Sequence, residues 1–247
     1  MSGHSKWSTI KRKKEKTDSQ RAKVFTKIGR EITVAVRQSG ADPLTNSKLR
    51  DIIAKARASN VPNDNIERII KKASGDSSAD TYENIIYEGY GPSGVAVIVE
   101  ALTDNRNRTA GDVRHYFDKY GGNMGQSGSV MFMFNRQGTI VIEKEGVDEE
   151  QLMEDAIEAG ASDFFSEDED VYEVSTQPGE LGAVRDCLGK KGYSFAYAQV
   201  EYVPATYVKL ENPDDIKNMG KMLEMFEDND DVQGVWHNWE NADDFDN

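Results

Sequence analysis

Apolar residues recur every three or four positions from 23 to 38. Val24, Ile28, Ile32 and Ala35 share one face, with Phe25 and Val36 beside them. That spacing is the period of an amphipathic helix. Ser39-Gly40 ends it, and Asp42-Pro43 begins a turn. A second helix is predicted over about 44–59, with Leu49, Ile52, Ile53 and Ala56 inward. "NVPND" interrupts the chain again. A third helix follows, with Ile66, Ile69 and Ile70 inward, and stops at Gly75. Three short helices with one apolar face each predict a small bundle. "SGDSSAD" (74–80) is polar and reads as a linker.

Beyond it the pattern changes. "GVAVIVEAL" (94–102) is a β-branched, apolar run and predicts a buried strand. Val113, Phe117 and Tyr120 then fall at helical spacing. Thr109 and Asp112 resemble a capping box, and Gly121-Gly122 is a stop. "SGSVMFMF" reads as a strand. "GTIVIEK", "DVYEVST" and "SFAYAQVEYVP" predict strands alternating with the helices "DEEQLMEDAIEAG" and "PGELGAVRDCLGKKG", a split βαβ rhythm. "TYVKLEN" (strand), "PDDIKNMGKMLEMFED" (helix) and "DVQGVWHN" (strand) form a half unit, and 84–130 forms another. The two halves are expected to complete each other. The predicted class is α+β and multidomain: an N-terminal three-helix domain followed by two ferredoxin-like α/β domains, one inserted into the other. The expected boundaries are 1–77 for the basic arm and helical domain, 78–130 plus 205–247 for a discontinuous α/β domain, and 131–204 for the inserted one.

Composition adds little until charge is placed along the chain. Of 247 residues 37% are apolar and 30% charged, enough for cores of ordinary size. No apolar run approaches the ~20 residues of a membrane span. The single cysteine, Cys187, excludes an intrachain disulfide. Together with the absence of a secretory pattern, this points to a cytoplasmic protein. Residues 1–77 hold 18 Lys+Arg and 8 Asp+Glu, a net of +10. Residues 78–247 hold 12 and 36, a net of −24, which together give the −14 of the whole chain. A pI near 4.7 conceals this segregation.

On a wheel of about 100° per residue, Lys23, Lys27, Arg30 and Arg37 fall within roughly 80° of one another, opposite the apolar face. Lys16 joins them if the helix extends back. A solvated surface face would interleave both signs to gain pairs one turn apart. Near this stripe only Glu31 intervenes. With Lys11, Arg12, Lys13 and Lys14 before it, the stripe predicts a polyphosphate partner, bound with release of counterions. Trp7 has no obvious core to enter, and would stack on a base or lie on a protein surface. Arg106 and Arg108 open a predicted helix. They suggest either a second anion site or a loop whose arginines satisfy nearby acids.

Other motifs do not carry chemistry. "GYGPSG" (89–94) has dinucleotide-loop spacing, but a strand follows it rather than a helix, and a tight turn is expected. "DNDDVQ" puts Gln233 where a calcium loop needs glycine. His4, His115 and His237 are dispersed, so no metal site is expected. No nucleophile elbow occurs. No cofactor, small-molecule substrate, membrane partner or enzymatic activity is predicted.

"GHSKW", "RAKVFTKIGREI", "LRDIIAKARASNVPNDNIERIIKKASG", "YEGYGPSGVAVIVEALTDNRNRT", "GGNMGQSGSV" and "DVQGVWHN" resemble the YebC/PmpR family over nearly the whole chain. That family includes the mitochondrial translational activator of cytochrome c oxidase subunit I. The resemblance implies a three-domain fold and a non-enzymatic role in gene expression. Bacterial members are labelled DNA-binding transcriptional regulators, and some are connected with ribosomes stalled on proline runs. It also implies that Lys6, Trp7, Lys11, Arg12, Lys23, Lys27 and Arg30 face nucleic acid. Two readings follow: an RNA- or ribosome-directed translation factor, and a transcriptional regulator. The basic arm and the missing recognition-helix and dimer signals favour RNA. A protein-interaction module is a third class, in which binding would survive reversal of the basic stripe.

Overall fold

A computed structural model describes residues 7, 18–75, 82–242 and 245. Residues 76–80 of the predicted linker and residues 1–17 of the arm, Trp7 apart, lie outside them. Seven helices and two four-stranded sheets appear among the described residues.

Helices α1 (Asp18–Ser39), α2 (Ser47–Ala58) and α3 (Asn63–Gly75) form the N-terminal bundle. Its core joins Ile28, Ile32, Leu49, Ile52, Ala56 and Ile66, the faces set by the helical period. Buried Asn46 caps α2 by accepting from Leu49 N at 3.0 Å. Its Nδ2 donates to the carbonyls of Ala35 at 2.9 Å and Gly40 at 2.8 Å, which ties the start of α2 to the end of α1.

The next sheet has the order β3-β1-β2-β8. Strand β1 (Glu83–Tyr90), which the pattern did not predict, pairs antiparallel with β2 (Ala96–Thr103). The "GYGPSG" turn joins them. Ser93 takes φ +53° and donates its hydroxyl to Asp215 at 2.6 Å, so the motif is a structural corner. Helix α4 (Arg106–Lys119) leads to the two-residue β3 (Asn123–Met124). Helix α7 (Pro213–Asp228) and β8 (Val232–His237) arrive from the C-terminal end of the chain, and β8 pairs with β2. One sheet face supplies Tyr87, Val97 and Val99. It packs on Val113 and Phe117 of α4 and on Met222 and Phe226 of α7. Full burial of a side chain such as Phe226 contributes about 1.5–3 kcal/mol.

Between β3 and α7 the chain forms the second compact unit, 136–203, with Trp7 assigned to it. Strand β4 (Phe134–Glu143), helix α5 (Glu149–Glu158), β5 (Asp163–Phe165), β6 (Val171–Thr176), α6 (Leu181–Lys190) and β7 (Tyr197–Pro204) give the sheet order β5-β6-β4-β7. This βαββαβ order is ferredoxin-like. Its core joins Ile140, Ile142 and Val174 to Leu152, Val184 and Leu188 of the two helices. The fold is α+β, with one α/β domain inserted into another.

Three local expectations are corrected. "SVMFMF" is not a strand. Met131–Met133 is a 3-10 turn, and β4 begins at Phe134. "TYVKLEN" forms only an isolated bridge, Val208 with Trp239, because Leu210 exchanges its backbone hydrogen bonds with the Asn241 side chain. The Thr109–Asp112 capping box is absent. Helix α4 starts three residues before Thr109, with Asn105 as its cap accepting from Arg108 N.

Candidate nucleic-acid interface

Helix α1 places Lys23, Lys27 and Arg30 on one side, as the wheel requires, but that side meets the α7–β8 corner of the same chain. Lys23 Nζ lies 2.7 Å from Asp228 Oδ1, and Lys27 Nζ donates to the Glu227 carbonyl at 2.7 Å. Arg30 Nη1 donates to Asp231 Oδ1 at 2.6 Å and to the Asp230 carbonyl at 2.9 Å. Its guanidinium stands 5.7 Å from the centre of the Tyr82 ring. The stripe is therefore neutralised by an acidic corner of its own chain.

Asp231 is the centre of this contact. It is 4% exposed. Its Oδ2 accepts from Arg108 Nη2 at 2.7 Å, Thr109 Oγ1 at 2.7 Å and Thr103 Oγ1 at 3.3 Å. Burial pushes the carboxyl up, while hydrogen bonds from Arg108, Thr109 and Arg30 pull it down further. It ends below the usual carboxylate range. Arg108 also pairs with Asp104, and these bonds hold its guanidinium charged. The anion at the start of α4 is thus the chain's own. Arg106 is two-thirds exposed, with only a 3.9 Å approach to Glu83.

Lys6, Lys11, Arg12, Lys13, Lys14 and Lys16 lie outside the described residues. Trp7 is half-buried. Its Nε1 donates to Asp170 Oδ2 at 3.2 Å, and it packs against the buried cluster of Val141 and Val171, as Ala196 and Tyr197 do. Of its two expected placements it takes the protein surface. Arg37 is exposed in the last turn of α1.

A cationic face that the wheel of α1 did not reveal lies on α3. Arg68, Lys71 and Lys72 follow i, i+3, i+4 spacing and are exposed, opposite Ile66 and Ala73. Arg57 is exposed near the start of this helix, where its Nε donates to Asn63 Oδ1 at 3.3 Å. Over 22–75 exposed Lys and Arg number seven, against three exposed Asp and Glu. The signal was present in "ERIIKKASG", whose basic positions stand opposite its isoleucines.

The comparisons with known proteins agree over nearly the whole chain. Residues 5–76 match the TACO1/YebC protein N-terminal domain, and residues 82–239 match the TACO1/YebC second and third domain. A "Probable transcriptional regulatory protein" of Finegoldia magna is 56% identical over 241 residues, covering 98% of this chain and 100% of that one. One of the same description from Ruminiclostridium cellulolyticum is 58% identical, covering 97% of each. The crystal structure of a conserved hypothetical protein from Aquifex aeolicus superposes with a TM-score of 0.80 at 45% identity. That match covers 92% of this chain and 93% of the other.

Proposed function

The chain belongs to the TACO1/YebC family, and from that premise we propose that it is a non-enzymatic regulator of gene expression that binds nucleic acid through its helical domain and basic arm. The observation that carries this reading is the exposed charge of the helical domain. Seven cations against three carboxylates lie on a bundle whose sequence continues into the basic arm, while 78–247 carries a net −24. A polyanion is drawn to the first region and repelled by the second. The face Arg68, Lys71 and Lys72 is the structured part of the interface. Lys23, Lys27 and Arg30 contribute mainly by holding the bundle on the α7–β8 corner.

Folded RNA, and the ribosome in particular, is the target we favour. The cationic helix presents phosphate-binding groups without a row of base-reading side chains, which suits shape recognition. A transcriptional role on duplex DNA is the second reading, favoured by the descriptions that the relatives carry.

Co-sedimentation with ribosomes at about 150 mM salt, a physiological strength, tests the first. The wild type is expected to pellet, and a variant carrying Arg68→Glu, Lys71→Glu and Lys72→Glu to stay in the supernatant. These positions are preferable to Lys23 and Arg30, whose reversal would oppose Asp228 and Asp231 and disturb the fold. If the wild type stays in the supernatant, the ribosome reading fails. A preference for one promoter over random duplex would then support the second.

A further inference from the structure

The loop from Gly125 to Met133 is held unusually firmly for a glycine-rich segment. Glu88, 3% exposed on β1, turns its carboxylate beneath it. Oε1 accepts from Gly128 N at 2.6 Å, and Oε2 accepts from Val130 N and Met131 N at 2.8 Å each. Gly125 N donates to the Glu88 carbonyl, and Tyr90 donates its hydroxyl to the Ser129 carbonyl. Val130 is fully buried and anchors the segment. The next turn, Met131–Met133, then aims Phe132 outward with 78% of its surface exposed. A rigid support that spends three backbone donors to display one aromatic ring is a binding device rather than a packing defect.

Charge indicates the occupant. Residues 119–142 are the longest stretch of 78–247 without Asp or Glu, in a region that otherwise has 36 of them. The one carboxylate beneath the loop, Glu88, is buried and already saturated with donors. Near Phe132 in sequence the exposed side chains are Gln126, Ser127, Asn135 and the cation Arg136, and exposed Ala205 donates its N–H to the Met133 carbonyl at 2.9 Å. A single exposed ring is too small for the apolar centre of a protein interface. It is sufficient to stack one base, and a stretch without carboxylates that carries Arg136 does not repel the phosphates on either side of that base.

We propose that Phe132 is a stacking platform for an unpaired base of the nucleic acid, a second contact on the α/β body that adds to phosphate binding by the helical domain. This inference rests on the nucleic-acid reading above. The platform selects single-stranded or looped segments, because a base within a duplex has no free face to offer.

The test is fluorescence anisotropy of a labelled mixed-sequence single-stranded RNA, and of its duplex, with the full chain. Phe132→Ala is expected to weaken single-strand binding about tenfold, the scale of one lost base–aromatic stack. Duplex binding should change less than about twofold. Phe132→Tyr and Phe132→Trp should restore single-strand binding, whereas Phe132→Leu, apolar but without a ring, should not. Single-strand binding by the alanine variant that equals the wild type overturns the platform, as does leucine performing like phenylalanine, which would mark an apolar protein contact. A wild type that binds neither probe overturns the nucleic-acid reading itself, and the platform with it.

Discussion

Asp231 sits where three stretches of chain converge, and its carboxylate is counterion to Arg30, which the sequence offers to an outside polyanion, and to Arg108, which it offers either to an outside anion or to nearby acids. Replacing it by Asn keeps the volume and removes the charge. Arg30 and Arg108 would lose their shared partner, and an amide NH2 would confront donors. Breaking a fully buried pair costs about 3–5 kcal/mol. Arg108 is nearly half exposed and can turn to water, so Asp231→Asn is expected to cost about 2–3 kcal/mol in chemical denaturation. The pH dependence has a defined sign. The native carboxyl titrates below its unfolded value, so its contribution is complete at neutral pH. It fades as pH falls below about 4 and through the lowered native value. The stability gap between wild type and variant should therefore close on acidification; a gap unchanged down to pH 2 would remove the charge argument. This site was not legible in sequence. "TDNRNRT" showed two arginines at a helix start, but their partner lies 123 residues away from Arg108 and 201 from Arg30. No periodicity connects such positions.

Local patterns were read correctly where packing and hydrogen bonding agree. The three N-terminal helices follow from the period of their apolar faces, and Ile28, Ile32, Leu49 and Ile66 are inside as that period demands. "SVMFMF" shows where agreement ends. Its composition suits a strand, but Glu88 takes the N–H groups of Val130 and Met131 that a ladder would use. A remote carboxylate thus outweighs local propensity. Burial pushes the Glu88 carboxyl up, and the three backbone donors pull it below its usual value, so it stays ionised. Glu88→Gln would place an NH2 group against at least one of these N–H donors. Hydrogen exchange should then accelerate at Gly128, Val130 and Met131 by about tenfold or more, while Val97 and Val99 in the neighbouring β2 keep their protection. Unchanged exchange in the loop would mean that other contacts hold it and that Glu88 is not its anchor.

Across the whole chain, charge segregation was the most informative feature of the sequence, although the structure assigns its parts different tasks. Part of the basic segment is consumed in binding the α7–β8 corner, and part remains outward on α3. The helix wheel of α1 could identify a cationic face but not what would cover it, since Asp228 and Asp231 are some 200 residues distant. The distinction can be measured through salt. Each phosphate neutralised by an outward cation adds about −0.7 to the slope of log affinity against log salt for a single strand. Removing Arg68, Lys71 and Lys72 together by Gln substitution should make that slope shallower by about 2. Lys23→Gln should leave the slope nearly unchanged, because that ammonium pairs with Asp228 in the free protein. A slope that responds to Lys23 as strongly as to Lys71 would mean that nucleic acid displaces Asp228 from the stripe. The acidic corner would then act as a competitor for phosphate rather than as a fixed support.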